Sequence, residues 1–445
     1  MAKKMDMRLL IKLTIPIFLE LVLQILLGNV DKVMVRNDYS ANAINQANSI
    51  LEMLTVSISV LAAGSLILIS QYKGANDRQS EMKIYAISFY FNLFLGFILG
   101  GLLLIFAKPI FYAMNVNEAY FDETILYLKI NGGFLFLQAI ILSLSSYLRS
   151  NEYVLQSLIS SVIFNIINVI LNALFLYVFK IEGAKGVAIA SVISRGIGCI
   201  MLFFIIKRLL KIHFHIKEVF HTSWSELKKL LKLSLPSAGE SLSYSISQIV
   251  ILAFINIIGL KLNFAAPTAK TYTSIMIQFT YIFTSSISQG MQILLGRYLG
   301  ANRKEEANLL VKNTVILSLI VSISLAVLQA VLAQYIFRFF TKDQEAIRLC
   351  QQIMLIEIAL EVGRAINIVL VRALQTSGDV LFPTILAIIF CWFVAVVGSY
   401  FLGIVLRLGI AGVWISMSLD EICRAIIFCF RWKKGVWKQK KLVYS

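Results

Sequence analysis

The chain has 445 residues, of which 59% are hydrophobic and 15% charged, with five prolines and a formal net charge of +17. A soluble enzyme of this length is excluded, because its helices would carry polar faces. Nucleic acid is not needed to explain the charge either: more than twice as many of the 41 Lys and Arg residues lie on or beside segments predicted cytoplasmic as on outer ones, an asymmetry that orients a membrane protein and draws it to anionic lipid.

Twelve apolar stretches, each long enough to cross about 30 Å of hydrocarbon as a helix, predict spans near 9–35, 44–72, 83–113, 123–148, 154–179, 185–211, 228–259, 266–296, 308–340, 345–372, 380–406 and 409–432. The expected protein is all-α and multi-pass in the cell (inner or plasma) membrane, monomeric, with both termini cytoplasmic. Lys3, Lys4 and Arg8 lead straight into a full-length span, which is not the pattern of a cleaved signal peptide. Two six-span lobes are expected at 1–211 and 228–432, with a cytoplasmic connector at 212–227 and a basic tail at 433–445. The basic run from Arg431 to Lys441 is expected on the inner leaflet.

In chain order, the first span carries Pro16, Glu20, Gln24 and Asp31. The last three fall on one face, since eleven residues are almost three helical turns. A charge at mid-membrane costs roughly 2.5–3.5 kcal/mol on insertion scales and so needs a reason. Asp31 either has a functional role or ends the helix beside Lys32. A proline inside a helix frees a backbone carbonyl and bends the chain, which makes Pro16 a candidate hinge. Span 2 adds Asn45, Ser49, Glu52 and Ser59 on one broad stripe, and span 5 adds Asn165, Asn168 and Asn172, residues that also bond across helices simply to hold a bundle together.

The connector holds all three histidines, His213, His215 and His221. Their spacing allows a metal, but a solvated linker is the plainer reading. In the second half, Pro236 precedes Glu240 by one turn, as Pro16 precedes Glu20, and Tyr244 follows. Gln278 lies in span 8, and Glu357, Glu361, Arg364 and Asn367 lie in span 10. These are substrate or gate candidates, with Glu361 and Arg364 spaced to neutralise one another. Asp420, Glu421 and Arg424 in span 12 read as a self-compensating cluster. Tyr147, Tyr244, Tyr272 and Tyr281 are candidates to hold flat, hydrophobic compounds, although most aromatics here serve packing. Five cysteines, Cys199, Cys350, Cys391, Cys423 and Cys429, form no CxxC pair and read as small buried side chains.

The two halves repeat. KLTIPIFLE from Lys12 returns as KLSLPSAGE from Lys232, and QYKGAN from Gln71 as RYLGAN from Arg297. LRSNEYVLQS from Leu148 returns as LQTSGDVLFP from Leu374, and GAKGV from Gly183 as GIAGV from Gly409. Six crossings per copy is even, so both insert in the same sense, which predicts pseudo-symmetric lobes around a central cavity.

These blocks, above all IPIFLELVLQILLGNVDKVMV, NVILNALFLY, GAKGVAIAS and GIAGVWIS, resemble the multidrug and toxic compound extrusion family of cation-coupled antiporters over nearly the whole chain. The resemblance implies twelve helices in two lobes and export of amphipathic, often cationic, compounds against proton or sodium entry. One branch couples through an aspartate fifteen residues after a span-1 proline, and Asp31 stands so after Pro16. Gln24, Asn168 and Ser191 match that branch's polar site. Asn172 stands where it has a second carboxylate, a loss that weakens the case for tight sodium binding and that Glu20 or Glu52 would have to offset. A second branch has acidic residues in spans 7 and 10, where this chain has Tyr244 and Arg364.

The expected function is therefore secondary antiport by alternating access, with H+ or Na+ as coupling ion and no bound cofactor. Asp31, together with Gln24, Asn168, Asn172 and Ser191, is the expected cation-coupling site. Any sodium would sit at Asp31, and no firm metal site is expected. A lipid-linked precursor flippase shares the architecture, but the candidate lining holds more carboxylates than arginines, which favours cationic cargo. The partial match at Gly74-x-x-Asp77-Arg78 argues little for the other large twelve-helix class. GxSxG, HExxH and GxxxxGK[ST] are all absent, which speaks against an enzyme or a direct ATPase.

Overall fold

The computed structural model describes residues 2–28, 30–35, 37–114, 116–181, 183–212, 224–440 and 442–443. The three histidines fall outside that set, as does most of the connector. Among the described residues all regular structure is helical. The first half runs α1 (Ala2–Gly28), α2 (Val30–Met34), α3 (Asp38–Gly74), α4 (Arg78–Ala113), α5 (Phe121–Gly133), α6 (Leu135–Ser150), α7 (Val154–Ala173) and α8 (Gly183–Leu210). The second runs α9 (Trp224–Lys261), α10 (Ala266–Gly300), α11 (Lys304–Phe340), α12 (Gln344–Thr376), α13 (Leu381–Phe390) and α14 (Gly409–Lys433).

With α1 and α2 as one crossing and α5 and α6 as another, these helices make twelve. Eight segments are long and apolar enough to cross a membrane on composition alone, or nine if the α5–α6 pair, bent by 46°, counts as one. The apolar threshold misses α10, which is rich in Ser, Thr and Gln, and α12 and α14, each of which carries three or more intramembrane charges. Those charges are buried against one another, as described below.

The chain divides into two compact units, Leu19–Leu235 and Met1–Phe18 with Pro236–Ser445. Membership changes within α1 two residues after Pro16, and within α9 at Pro236 itself. In the second unit the early part of α1 packs on α10: Phe18 and Phe283 meet edge to face at 6.1 Å. A Cβ at Gly290 would lie 3.0 Å from Thr14 Oγ1.

The repeat is visible in local geometry. Asn76 in KGAN and Asn302 in LGAN both adopt left-handed backbone, with φ of 57° and 55°, a conformation that asparagine tolerates better than most residues. Gly183 and Gly409 start α8 and α14 at φ of 69° and 63°, where glycine carries no steric cost. Each copy also widens into π-helical turns at the same place, Leu174–Val178 after α7 and Ser399–Val405 after α13. Such widened turns often mark functional positions in helices.

The tail folds onto its own unit. After Gly435, at φ 70°, a short 3-10 turn (Val436–Gln439) brings Trp437 back against Trp432, with rings stacked at 4.4 Å and 9°. Trp437 is 1% exposed, and its indole N–H donates to the Trp432 carbonyl. Arg431 is held by Asp379 at 2.9 and 3.2 Å, and Lys438 by Glu305 at 3.1 Å.

Candidate functional site

In the first unit the structure brings Asp31, Asn168, Asn172 and Ser191 together. Asp31 lies on α2. The α7 asparagines face it because they are one turn apart. Asn172 Nδ2 donates to Asp31 Oδ1 at 2.7 Å, and the Ser191 hydroxyl of α8 lies beside the same carboxylate. Asn168 Oδ1 accepts from Asn172 at 3.4 Å. Its own amide donates to Ser191 and Ser194, at 3.3 and 3.4 Å. Asn172 is fully buried, and its Oδ1 has no hydrogen-bond partner among the described residues. One carboxylate thus sits among neutral dipoles, with an unused carbonyl oxygen beside it. Those oxygens suit a proton or a small monovalent cation; a divalent ion would want more negative ligands.

Two fixed cations border this group. Lys32 donates to Asn45 Oδ1 at 2.8 Å, and Arg195 donates to Asn131 Oδ1 of α5 at 3.2 Å. The Arg195 charge acts on Asp31 and on Tyr127 as well. The sequence reading gave Arg195 no role; its place one turn after Ser191 on the same helix was the available signal.

The other first-half candidates lie elsewhere. Gln24 is exposed and joins no hydrogen bond among the described residues. Glu52 is likewise exposed, without an ion pair. Glu20 is buried at 4% exposure, its carboxylate held by Arg149 at 2.6 Å and by the Ser157 hydroxyl at 3.4 Å. That pairing ties α1 to the ends of α6 and α7 and compensates the charge within the unit.

The second unit carries a network of ion pairs. Arg364 bridges Glu357, at 2.8 Å, and Glu361, one helical turn away. Trp414 Nε1 donates to the second oxygen of Glu357 at 2.9 Å. On α14, Arg424 Nε donates to Asp420 at 2.9 Å and its NH2 lies 3.1 Å from Glu421. Asn367 donates to the Glu421 carbonyl at 2.7 Å. Glu240 stands apart from these pairs and accepts from Thr384 Oγ1 at 3.1 Å. Tyr244 and Gln278 are exposed. Of the other tyrosines, Tyr281 is exposed, Tyr272 packs on Phe340 at 5.4 Å, and Tyr147 is wholly buried against Ser88 and Tyr85. No group of three or more His, Cys, Asp or Glu suited to a metal occurs among the described residues.

With this geometry in hand, comparison with known proteins places the chain. The MatE family model matches residues 16–174 and again 236–401. The chain is 33% identical over 436 residues to "Uncharacterized transporter YisQ" of Bacillus subtilis, covering 97% of this chain and 95% of that one. It is 25% identical over 443 residues to "Probable multidrug resistance protein NorM" of Thermotoga maritima, covering 98% and 94%. Its fold superposes on the Vibrio cholerae MATE transporter VcmN in the bent form with a TM-score of 0.89, at 16% identity and full coverage of both chains. The two family-model matches begin at the two helix prolines, Pro16 and Pro236. The chain belongs to the MatE family of multidrug and toxic compound extrusion transporters.

Proposed function

We propose that this transporter is a secondary antiporter that exports amphipathic, cationic compounds in exchange for an inward-moving proton or sodium ion. The observation that carries the reading is the Asp31 group, a membrane-embedded carboxylate bonded only to neutral side chains, with the buried Asn172 Oδ1 left unpartnered beside it. A charge so placed is costly in a membrane unless something neutralises it. A carboxylate fixed in an ion pair is poorly placed to exchange its counter-ion, whereas one held by amides and a hydroxyl keeps that freedom.

Entry of the coupling ion from outside would neutralise Asp31 and weaken its hold on a cationic substrate. Loss of the ion to the inside would restore the charge. Asp31, Ser191 and the carbonyl oxygens of Asn168 and Asn172 are the groups that would hold the ion. Alternating access follows from this cycle if the two charge states favour different conformations. The helices containing Pro16 and Pro236 are the proposed hinges, since each is where its helix passes from one compact unit to the other.

The test is dye efflux from proteoliposomes under separately imposed proton and sodium gradients, for the wild type and Asp31→Asn. Efflux driven by one gradient and lost in the variant is expected, and identifies the ion. Efflux that survives would move the coupling group to Glu240 or Glu361. No gradient-driven efflux of any cationic dye would overturn the reading in favour of a flippase for lipid-linked precursors.

A further inference from the structure

On the second unit, a groove of about 270 Å³ runs between α12 and α14, and its lining is almost wholly apolar. Its floor is made by small residues. A Cβ at Gly363 would lie 2.6 Å from the Glu421 carbonyl carbon and 2.7 Å from Ile422 N, so the two helices approach closely there. Ala425 continues the floor, and Ile366, Ile426 and Phe430 form walls. Ile426 and Phe430 are 51% and 62% exposed. Both helices are crossings of the fold, so a groove on their outer face meets hydrocarbon.

The charge at its mouth is specific. Lys433 is the groove's one charged lining residue and stands at the C-terminal end of α14. Of its basic neighbours, Arg431 is compensated by Asp379, Lys438 by Glu305, and Lys440 lies 4.0 Å from Asp379; Lys434 is exposed too but does not line the groove. Lys433 is exposed and makes no ion pair or hydrogen bond among the described residues. From Ile422 to Lys433 is eleven residues, roughly 16 Å along a helix. That is close to the roughly 15 Å depth of one leaflet's hydrocarbon. An acyl chain lying in the groove would therefore place its phosphate at the lysine.

We propose that this groove is a binding site for one anionic phospholipid, its acyl chain over Gly363 and Ala425 and its phosphate on Lys433. The charge orientation read from the sequence puts that end in the cytoplasmic leaflet, where anionic lipid attracts basic residues. The site is independent of the transport cycle proposed above.

The probe is phosphatidylglycerol. The full chain, reconstituted in vesicles of phosphatidylcholine and phosphatidylglycerol at a three-to-one ratio, is extracted, and its retained lipids are counted by native mass spectrometry. The wild type is expected to keep one phosphatidylglycerol in preference to phosphatidylcholine. Lys433→Gln should reduce that preference about fivefold, the worth of one lysine at an anionic surface, and Lys434→Gln should not. Ala425→Phe, which fills the floor, should release lipid of both kinds. Equal retention in wild type and Lys433→Gln would overturn the headgroup assignment, and Lys433→Gln leaves the packed interior untouched. Undiminished lipid in a folded Ala425→Phe variant, or a second copy of the chain bound in place of lipid, would overturn the groove.

Discussion

The two units solve the same problem, buried polar groups inside a membrane helix bundle, in opposite ways. In the first unit one carboxylate, Asp31, is held by Asn172 and, through it, Asn168, with Ser191 alongside. In the second, Glu357, Glu361, Asp420 and Glu421 are locked to Arg364 and Arg424. The duplication makes the contrast sharper. At the offset that aligns GAKGV with GIAGV, Asn131 corresponds to Glu357, Ser194 to Asp420 and Arg195 to Glu421. A neutral or basic position in one copy is thus acidic in the other. Ion pairs fix charge, because breaking one leaves a bare ion in low dielectric. Amides and hydroxyls tolerate either charge state of their partner. On the proposed reading, the first cluster suits exchange of an ion and the second fixes its charges.

That contrast can be broken in stages. Arg364→Met should be the most damaging change, since it strands Glu357 and Glu361 together; about 3–5 kcal/mol of stability should be lost, read by thermal unfolding in detergent. The triple change Glu357→Gln, Glu361→Gln, Arg364→Met should recover most of that loss. If it does not, the network contributes more than mutual neutralisation. Arg149→Ala should cost about 2–3 kcal/mol by leaving the buried Glu20 with only Ser157, which would mark Glu20 as paired for structure. Asp31→Asn should change stability by less than about 1 kcal/mol, because the substitute keeps a carbonyl acceptor, while gradient-driven efflux is lost. Equal damage to stability in Asp31→Asn and Arg364→Met would erase the distinction between the units. The smallest effect on efflux is expected from Asn172→Ala, which removes the hydrogen bonds to Asp31 and Asn168 at a cost of about 1–2 kcal/mol and should shift the pH or sodium dependence of efflux without abolishing it.

Much of the architecture was legible because membrane insertion writes itself into sequence. Apolar length gives the crossings, and repeated glycines and asparagines give the turns, as Asn76 and Asn302 show by taking the same left-handed conformation. The α-helical spacing also disclosed pairs within one helix. Glu361 with Arg364 and Asp420 with Arg424 are three and four residues apart, and both are bonded as that spacing implies. Partners on different helices were not legible. Nothing in the sequence near Glu20 names Arg149, which is more than a hundred residues away at the end of α6. The same holds for Gln24, which shares a helical face with Asp31 by arithmetic but is exposed and joins no hydrogen bond among the described residues.

The bent fourth crossing is a similar case. Gly132 and Gly133 sit at the α5–α6 break, while the corresponding Ile358 and Ala359 lie inside the continuous α12. Glycines permit such a break without requiring it, so the sequence marks the place and the packing decides the angle of 46°. The tail shows the limit from the other side: its lysines read as a lipid-binding run, yet Trp437 is buried and Lys438 is paired within the protein.

By itself, then, the sequence determined the membrane class, the twelve crossings, the duplication and which charges lie within the membrane. These follow from local rules of hydropathy and helical period that operate within about twenty residues. The tertiary structure alone decided which charges are already neutralised, that Arg195 lies within electrostatic reach of Asp31, and that Asn172 keeps a free oxygen beside it. Those outcomes depend on side chains from different helices meeting at hydrogen-bond distance, and no pattern along a single helix specifies that.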